Sequence, residues 1–200
     1  KAQKIPFLSG NAIRNDNGTP YFQTYTILKR HGLKIAVLGY DNANIAGWLS
    51  ERLWYGMKFV NLIPIVQQDV DRVIANEKPH VVIVAVHSAT GDGDGKQLES
   101  QGLDLMKTLH GVDFLICSHD HRPKVIESDT LCLINSGSYD VIVWTCIEEG
   151  FVIVVELASS KMSFFTDLLY IPFLRASLKH IYPIGIQKAV NLSLINFFCR

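Results

Sequence analysis

Two stretches decide the fold: Val81-Val82-Ile83-Val84-Ala85-Val86-His87, and Val112-Asp113-Phe114-Leu115-Ile116-Cys117-Ser118-His119-Asp120-His121. Each opens with a near-continuous apolar run of six residues, too short for an ordinary helix and without the alternation of a half-wet strand. Such runs read as strands buried on both faces. Between them lie the glycine-rich loop Gly91-Asp92-Gly93-Asp94-Gly95 and a segment from about 96 to 109 with Leu98, Leu105, Met106 and Leu109 on one helical face. Upstream, residues 63–77 carry Val66, Val70, Val73 and Ile74 at helical spacing, while Asp69, Asp71 and Arg72 face water and Pro79 closes the segment. Strand, loop, helix, strand, repeated, predicts an α/β fold with helices packed on sheet faces.

The flanks are built from shorter elements. Residues 5–8 form a brief apolar run, followed by the turn-forming cluster Asn15-Asp16-Asn17-Gly18-Thr19-Pro20. Residues 21–28 and 33–40 read as strands, and Lys29-Arg30-His31-Gly32 between them makes a hairpin that feeds a central strand. Residues 41–60 carry no clear pattern. Beyond Lys124 short β runs dominate, including 130–134 and 141–145. No repeat or low-complexity tract interrupts the chain.

Composition narrows the function classes. The 200 residues are 48% hydrophobic and 19% charged, and 19 Lys and Arg balance 19 Asp and Glu for a formal net charge of zero. Such a chain has no long-range field to draw it to a nucleic-acid duplex or an anionic membrane, which leaves a small phosphorylated substrate open. Cys117, Cys132, Cys146 and Cys199 form no C-x-x-C pair, so a zinc knuckle or dithiol centre is not expected, and Cys117 and Cys132 read as inert core thiols. No transmembrane helix is expected, since the most apolar stretch, 181–197, is interrupted by Pro183, Gln187, Lys188 and Asn191.

Histidine follows both deciding strands. Ligands of open α/β sheets sit outside the carboxyl ends of the strands, and a βαβ connection brings these two ends to one edge. In extended backbone, residues two apart point the same way, so His119 and His121 are expected to converge with Asp120 turned aside. With His87 they would place three imidazoles at one sheet edge, a good donor set for zinc, iron or manganese. Spacing alone leaves two readings open, a metal site or ordinary polar residues at loop starts.

Several motifs, taken in order, resemble the calcineurin-like metallophosphoesterases and, within them, the bacterial 5'-nucleotidase and 2',3'-cyclic phosphodiesterase branch. Ser118-His119-Asp120-His121 is similar to the family's G-H-x-H, and Ala85-Val86-His87 to an earlier strand that ends in a single histidine. Pro6-Phe7-Leu8-Ser9-Gly10-Asn11 resembles a P-x-L-x-A-N stretch, residues 25–39 a following strand pair, and Ile134-Asn135-Ser136-Gly137-Ser138 a glycine-serine segment. The resemblance runs over about two-thirds of the chain. It implies the second half of a four-layer α/β/β/α metallophosphoesterase sandwich over residues 1–140, followed by an unassigned apolar tail over 141–200.

The resemblance also implies chemistry. His87 and His119 would bind one metal and His121 the other, in a site for two divalent ions such as zinc, manganese, iron, magnesium or cobalt. The other ligand motifs of the family, D-x-H, G-D-x-x-D and G-N-H with its catalytic histidine, are absent. No catalytic residue is therefore assigned to this chain, and a missing N-terminal half-domain is needed to complete the site. Gly10-Asn11-Ala12 imitates G-N-H, but Ala12 stands where the histidine would be, so Asn11 is not assigned as a ligand. The expectation is a metal-dependent phosphoester hydrolase of 5'-nucleotidase type, acting on a nucleotide in its complete form and inactive as this chain alone. The alternative is a degenerate phosphoesterase serving as a non-catalytic binding or structural module. Family analogy points to the periplasm or cell surface, although the chain starts at Lys1 without a signal peptide. For the tail, a shifted reading frame near Ser138 and a genuine amphipathic extension are both open.

The remaining candidates have plainer readings. Asp92 and Asp94 lack the downstream glutamate of a calcium loop and read as part of a mobile surface loop. His31, His80, His110 and His180 read as solvated, and Trp48, Trp54 and Tyr55 as core or lid packing.

Overall fold

A computed structural model describes residues 6–30, 32–135 and 137, with the backbone of strands 141–148, 151–158 and 165–169. The chain divides into two compact units, residues 1–138 and 139–200.

The first unit is a mixed α/β structure on a six-stranded sheet of order β2-β3-β5-β6-β8-β7. The strands are β2 (Tyr25–Arg30), β3 (Leu33–Tyr40), β5 (Val81–Val86), β6 (Phe114–Cys117), β7 (Lys124–Glu127) and β8 (Cys132–Asn135). The four inner strands run parallel, and β2 and β7 pair antiparallel at the edges. The inner strands are almost wholly buried, which is why their sequences do not alternate. A small ribbon pairs β1 (Ala12–Arg14) with β4 (Met57–Phe59), and one short helix, α1 (Ile45–Trp48), and a 3-10 turn at Glu51–Leu53 lie between β3 and β4. His31, His180, Cys199 and the apolar stretch 181–197 lie outside the described residues.

Helix α2 spans Ile63–Glu77 and buries Val66, Val70 and Val73 against the sheet, with Ile74 half-buried beside them. Each buried valine contributes roughly 1.5–3 kcal/mol relative to exposure. Pro64 stands in the first turn, where the missing N–H would have no helical partner. At the other end Lys78 takes the left-handed conformation (φ 47°) and returns its N–H to the Ile74 carbonyl, after which Pro79 prevents continuation.

Helix α3 is shorter than the apolar spacing predicts: it spans Gly102–Thr108 rather than about 96–109. The reason is tertiary. The Glu99 carbonyl accepts from Asn42 Nδ2, Ser88 Oγ and the Ala89 N–H, and the Gln101 N–H donates to Ser88 Oγ. These bonds hold residues 99–101 in a loop, and Leu98, expected on the buried face, is 46% exposed. Gly102 can open the helix because nothing larger fits there: a Cβ would sit 2.9 Å from Cys117 Sγ and 3.0 Å from the Ala89 carbonyl oxygen.

The strand register produces one transverse row at the carboxyl edge of the sheet. Tyr40 pairs with Val86, Val86 with Cys117, and Cys117 with Asn135. The residues that follow these four therefore emerge side by side. In the second unit, β9 (Val141–Glu148), β10 (Phe151–Ala158) and β11 (Phe165–Leu169) form an antiparallel sheet of order β11-β10-β9. The expected strand at 141–145 is part of β9.

Candidate metal centre

Two fully buried asparagines brace the loops that leave the carboxyl edge. Asn42, just past β3, donates from Nδ2 to the carbonyls of His87 (2.8 Å) and Glu99 (3.0 Å) and accepts the Asn44 N–H at Oδ1 (2.8 Å). Asn135, the last residue of β8, donates to Asp120 Oδ1 (2.7 Å) and Thr90 Oγ1 (3.2 Å) and accepts from the Gly137 N–H (3.1 Å). The sequence reading gave Asn42 no role and placed Asn135 only within a glycine-serine segment, although the strand-end position that singled out His87 applies equally to both.

Between these braces stand two of the three expected histidines. His87 Nε2 and His119 Nδ1 are 3.2 Å apart, and the two rings meet edge to face with centroids 5.0 Å apart. The other nitrogen of each ring has its own partner: Ser118 Oγ lies 3.3 Å from His87 Nδ1, and Glu99 Oε1 lies 2.9 Å from His119 Nε2. Ser118 thus supplies a hydroxyl to the neighbouring histidine. Burial holds the His87 imidazole below its ordinary pKa, the nearby His119 and His121 add to this, and Asp41 opposes it. The hydrogen bond from His119 in turn lowers the Glu99 carboxyl.

The backbone that carries His119 and His121 is not the extended strand from which their convergence was expected. His119 has φ 120° and His121 φ 58°, both in the region that favours glycine, so the segment turns instead of continuing the strand. Such conformations cost on the order of 1–3 kcal/mol each and persist where surrounding structure over-determines them. His121 is solvent-exposed and still close enough to His87 to disfavour its protonation. Asp120, between them, is held by Asn135.

Other candidates are accounted for by structure. Asn11 is fully buried and spends its amide on Asp41: Nδ2 donates to the Asp41 carbonyl (2.9 Å) and Oδ1 accepts the Asp41 N–H (2.8 Å). The Gly91–Gly95 loop is fastened to α3, with the Gly95 N–H on Asp104 Oδ1 (2.9 Å) and Lys107 Nζ on the Gly93 carbonyl. His80 accepts the Lys34 N–H at Nδ1 (2.9 Å), and His110 is exposed beside Asp71. Cys117 and Cys132 are buried, and burial pushes the Cys117 thiol far up. Trp48, 37% exposed, is not a core residue. Its indole lies on the His119 imidazole with centroids 4.7 Å apart and planes 10° from parallel.

The donor set fits a divalent ion at the histidine pair. Two nitrogens bound at roughly 2.0–2.1 Å to one ion stand roughly 2.9–3.4 Å apart as the angle opens from square to tetrahedral, and His87 Nε2 and His119 Nδ1 fall within that interval. Among the described residues no set of three or more His, Cys, Asp or Glu side chains converges into a full metal cage. The pair thus offers two nitrogen donors to such an ion.

The mixed sheet is shared with solved 5'-nucleotidase and calcineurin-like phosphoesterase structures, whose fold it has. A Staphylococcus aureus structure described as a candidate 5'-nucleotidase matches with a TM-score of 0.60 and 17% identity, over 84% of this chain and 33% of that one. The calcineurin-like phosphoesterase YfkN from Bacillus subtilis matches with a TM-score of 0.58 and 15% identity, over 82% and 54%. In sequence, protein UshA of Salmonella pullorum is 24% identical over 138 residues, 68% of this chain and 25% of that protein. The chain thus spans about a quarter of the length of the curated relatives it matches. No family profile matches it. Among the described residues no helix is long and apolar enough to cross a membrane.

Proposed function

We propose that residues 1–140 are the C-terminal half of the catalytic domain of a two-metal phosphoester hydrolase of 5'-nucleotidase type. Its substrate is a small phosphorylated compound, a nucleotide, and its place is the periplasm or cell surface. The observation that carries the reading is the 3.2 Å approach of His87 Nε2 to His119 Nδ1 at the carboxyl edge of the sheet. In this reading His87 and His119 hold one ion and His121 serves the second. Divalent ions such as zinc, manganese, iron, magnesium or cobalt supply Lewis-acid activation of water and neutralise charge on the phosphoryl group when bound.

The chain's own residues orient and protect. Ser118 occupies the outer nitrogen of His87, which leaves Nε2 turned toward His119. Asn42 ties the His87 carbonyl to the loop at Glu99, whose carboxylate reaches His119. Trp48 covers one face of His119 and keeps water from it. Three histidines are too few for two ions, and an N-terminal half-domain supplies the remaining ligands, so this chain alone is inactive.

The test is phosphate release from AMP by the longest in-frame product of the gene, loaded with Mn2+. The expected result is hydrolysis by that product, a loss of at least about 100-fold in His119→Ala, and no hydrolysis by the 200-residue chain. An inactive long product that still binds metal would instead support the non-catalytic module, which the exposed position of His121 favours.

A further inference from the structure

Glu99 lies in a segment whose sequence announces nothing, yet its main chain is among the most firmly held near the site. Three donors converge on its carbonyl: Asn42 Nδ2 at 3.0 Å, Ser88 Oγ at 3.2 Å and the Ala89 N–H at 3.2 Å. With the backbone fixed, the carboxylate reaches His119 Nε2 at 2.9 Å, and the nearby side chains of Trp48 and Asn44 also help hold its pKa down. An ionised carboxylate can only accept, so His119 Nε2 must carry the hydrogen. That leaves Nδ1 as the nitrogen facing His87. Trp48 lies flat against the ring and removes the remaining freedom of rotation.

We infer that Glu99 is a positioning residue for the metal centre: it fixes the tautomer and orientation of His119, with Trp48 as the plate against which the ring rests. The inference rests on the metal reading of His87 and His119 given above. A ligating histidine held through its second nitrogen by a carboxylate gains both basicity and a defined direction, and loss of such a partner weakens metal binding by about 10- to 100-fold. The strained φ of 120° at His119 makes the partner more necessary, since the main chain at that residue does not settle into a common well that would aim the ring by itself.

The test has two readouts on the full 200-residue chain. The first needs no metal: the 15N and 1H resonances of the His119 ring, followed by NMR at a pH where its own titration curve has it neutral. The expected result is a slowly exchanging Nε2–H and ring protons shifted upfield by Trp48. Both features are lost in Glu99→Ala and retained in Glu99→Gln, whose amide oxygen still accepts. The second readout is calorimetric titration with Zn2+. Glu99→Ala is expected to bind about 10- to 100-fold more weakly, and Glu99→Gln to recover most of the loss. Circular dichroism checks the fold of each variant, and the partly exposed Glu99 side chain makes unfolding an improbable source of the effect. An unchanged His119 ring in Glu99→Ala, or unchanged Zn2+ affinity while His119→Ala abolishes binding, overturns the inference. Absence of Zn2+ binding in the parent chain overturns the metal reading beneath it, and the NMR readout separates that failure from this one.

Discussion

His87 Nε2 and His119 Nδ1 stand 3.2 Å apart although they lie 32 positions apart in the chain. Two ring nitrogens at that distance need a cation or a proton between them, because two lone pairs facing each other repel. The approach follows from the parallel pairing of β5 with β6, in which Val86 is opposite Cys117, so that the residues leaving both strands enter the same space. Ser118 and Glu99 hold the outer nitrogens of the two rings and turn the inner ones together.

The late start of α3 makes a prediction about two leucines that the sequence pattern treats alike. Leu105 is fully buried and Leu98 is 46% exposed. Leu105→Ala is expected to cost about 2–5 kcal/mol and Leu98→Ala to stay within about 0.5 kcal/mol of the parent. Urea unfolding of both variants checks this. A Leu98→Ala loss comparable to that of Leu105→Ala would restore the longer helix.

Gly102 opens α3 where β6 ends, and substitution there sets helix propensity against space. Ala is favoured over Gly by about 1 kcal/mol inside a helix, less at its first residue. The added methyl would lie 2.9 Å from Cys117 Sγ and 3.0 Å from both the Ala89 carbonyl oxygen and Thr90 Cα. Overpacking of this kind costs about 1–3 kcal/mol, so Gly102→Ala is expected to lower the urea midpoint despite the better helix former. A raised midpoint would contradict the close approach.

Much of the fold was legible because its central elements depend on local pattern. The valines at 66, 70 and 73 and the run from Val81 to Val86 coincide with α2 and β5 at the residues expected. The start of α3 was not legible, since it is decided by Ser88 and Asn42, which reach it from other parts of the fold. In the candidate site, His87 and His119 could be found from their positions at strand ends. Glu99 and Trp48 could not: one is a charged residue inside an apparent helix, the other an aromatic in an unpatterned stretch. The turn at His119 and His121 resides in two positive φ values that no spacing rule anticipates.

Acid stability is expected to depend on Glu77, which ties the β2–β3 hairpin to the end of α2. Its carboxyl accepts from Lys34 Nζ (3.0 Å) and Tyr25 OH (3.1 Å), and these bonds, Lys34 first, hold it below its ordinary pKa. The unfolded chain therefore binds the proton more readily than the folded one. The stabilisation is complete above the unfolded value of about 4.3 and is lost as pH falls through the lower folded value. Urea midpoints at pH 7, 5 and 3 are expected to fall more steeply in the parent than in Glu77→Gln. Parallel curves would show that the pair contributes nothing.

The central claim is that His87 and His119 form one half of a metal site. X-ray absorption at the zinc edge, on the chain loaded with one equivalent of Zn2+, tests it most directly. The account predicts two or more imidazole nitrogens at about 2.0–2.1 Å, with that scattering lost in the His87→Ala/His119→Ala double variant. A shell of oxygens alone, or a spectrum unchanged by the double substitution, would contradict it.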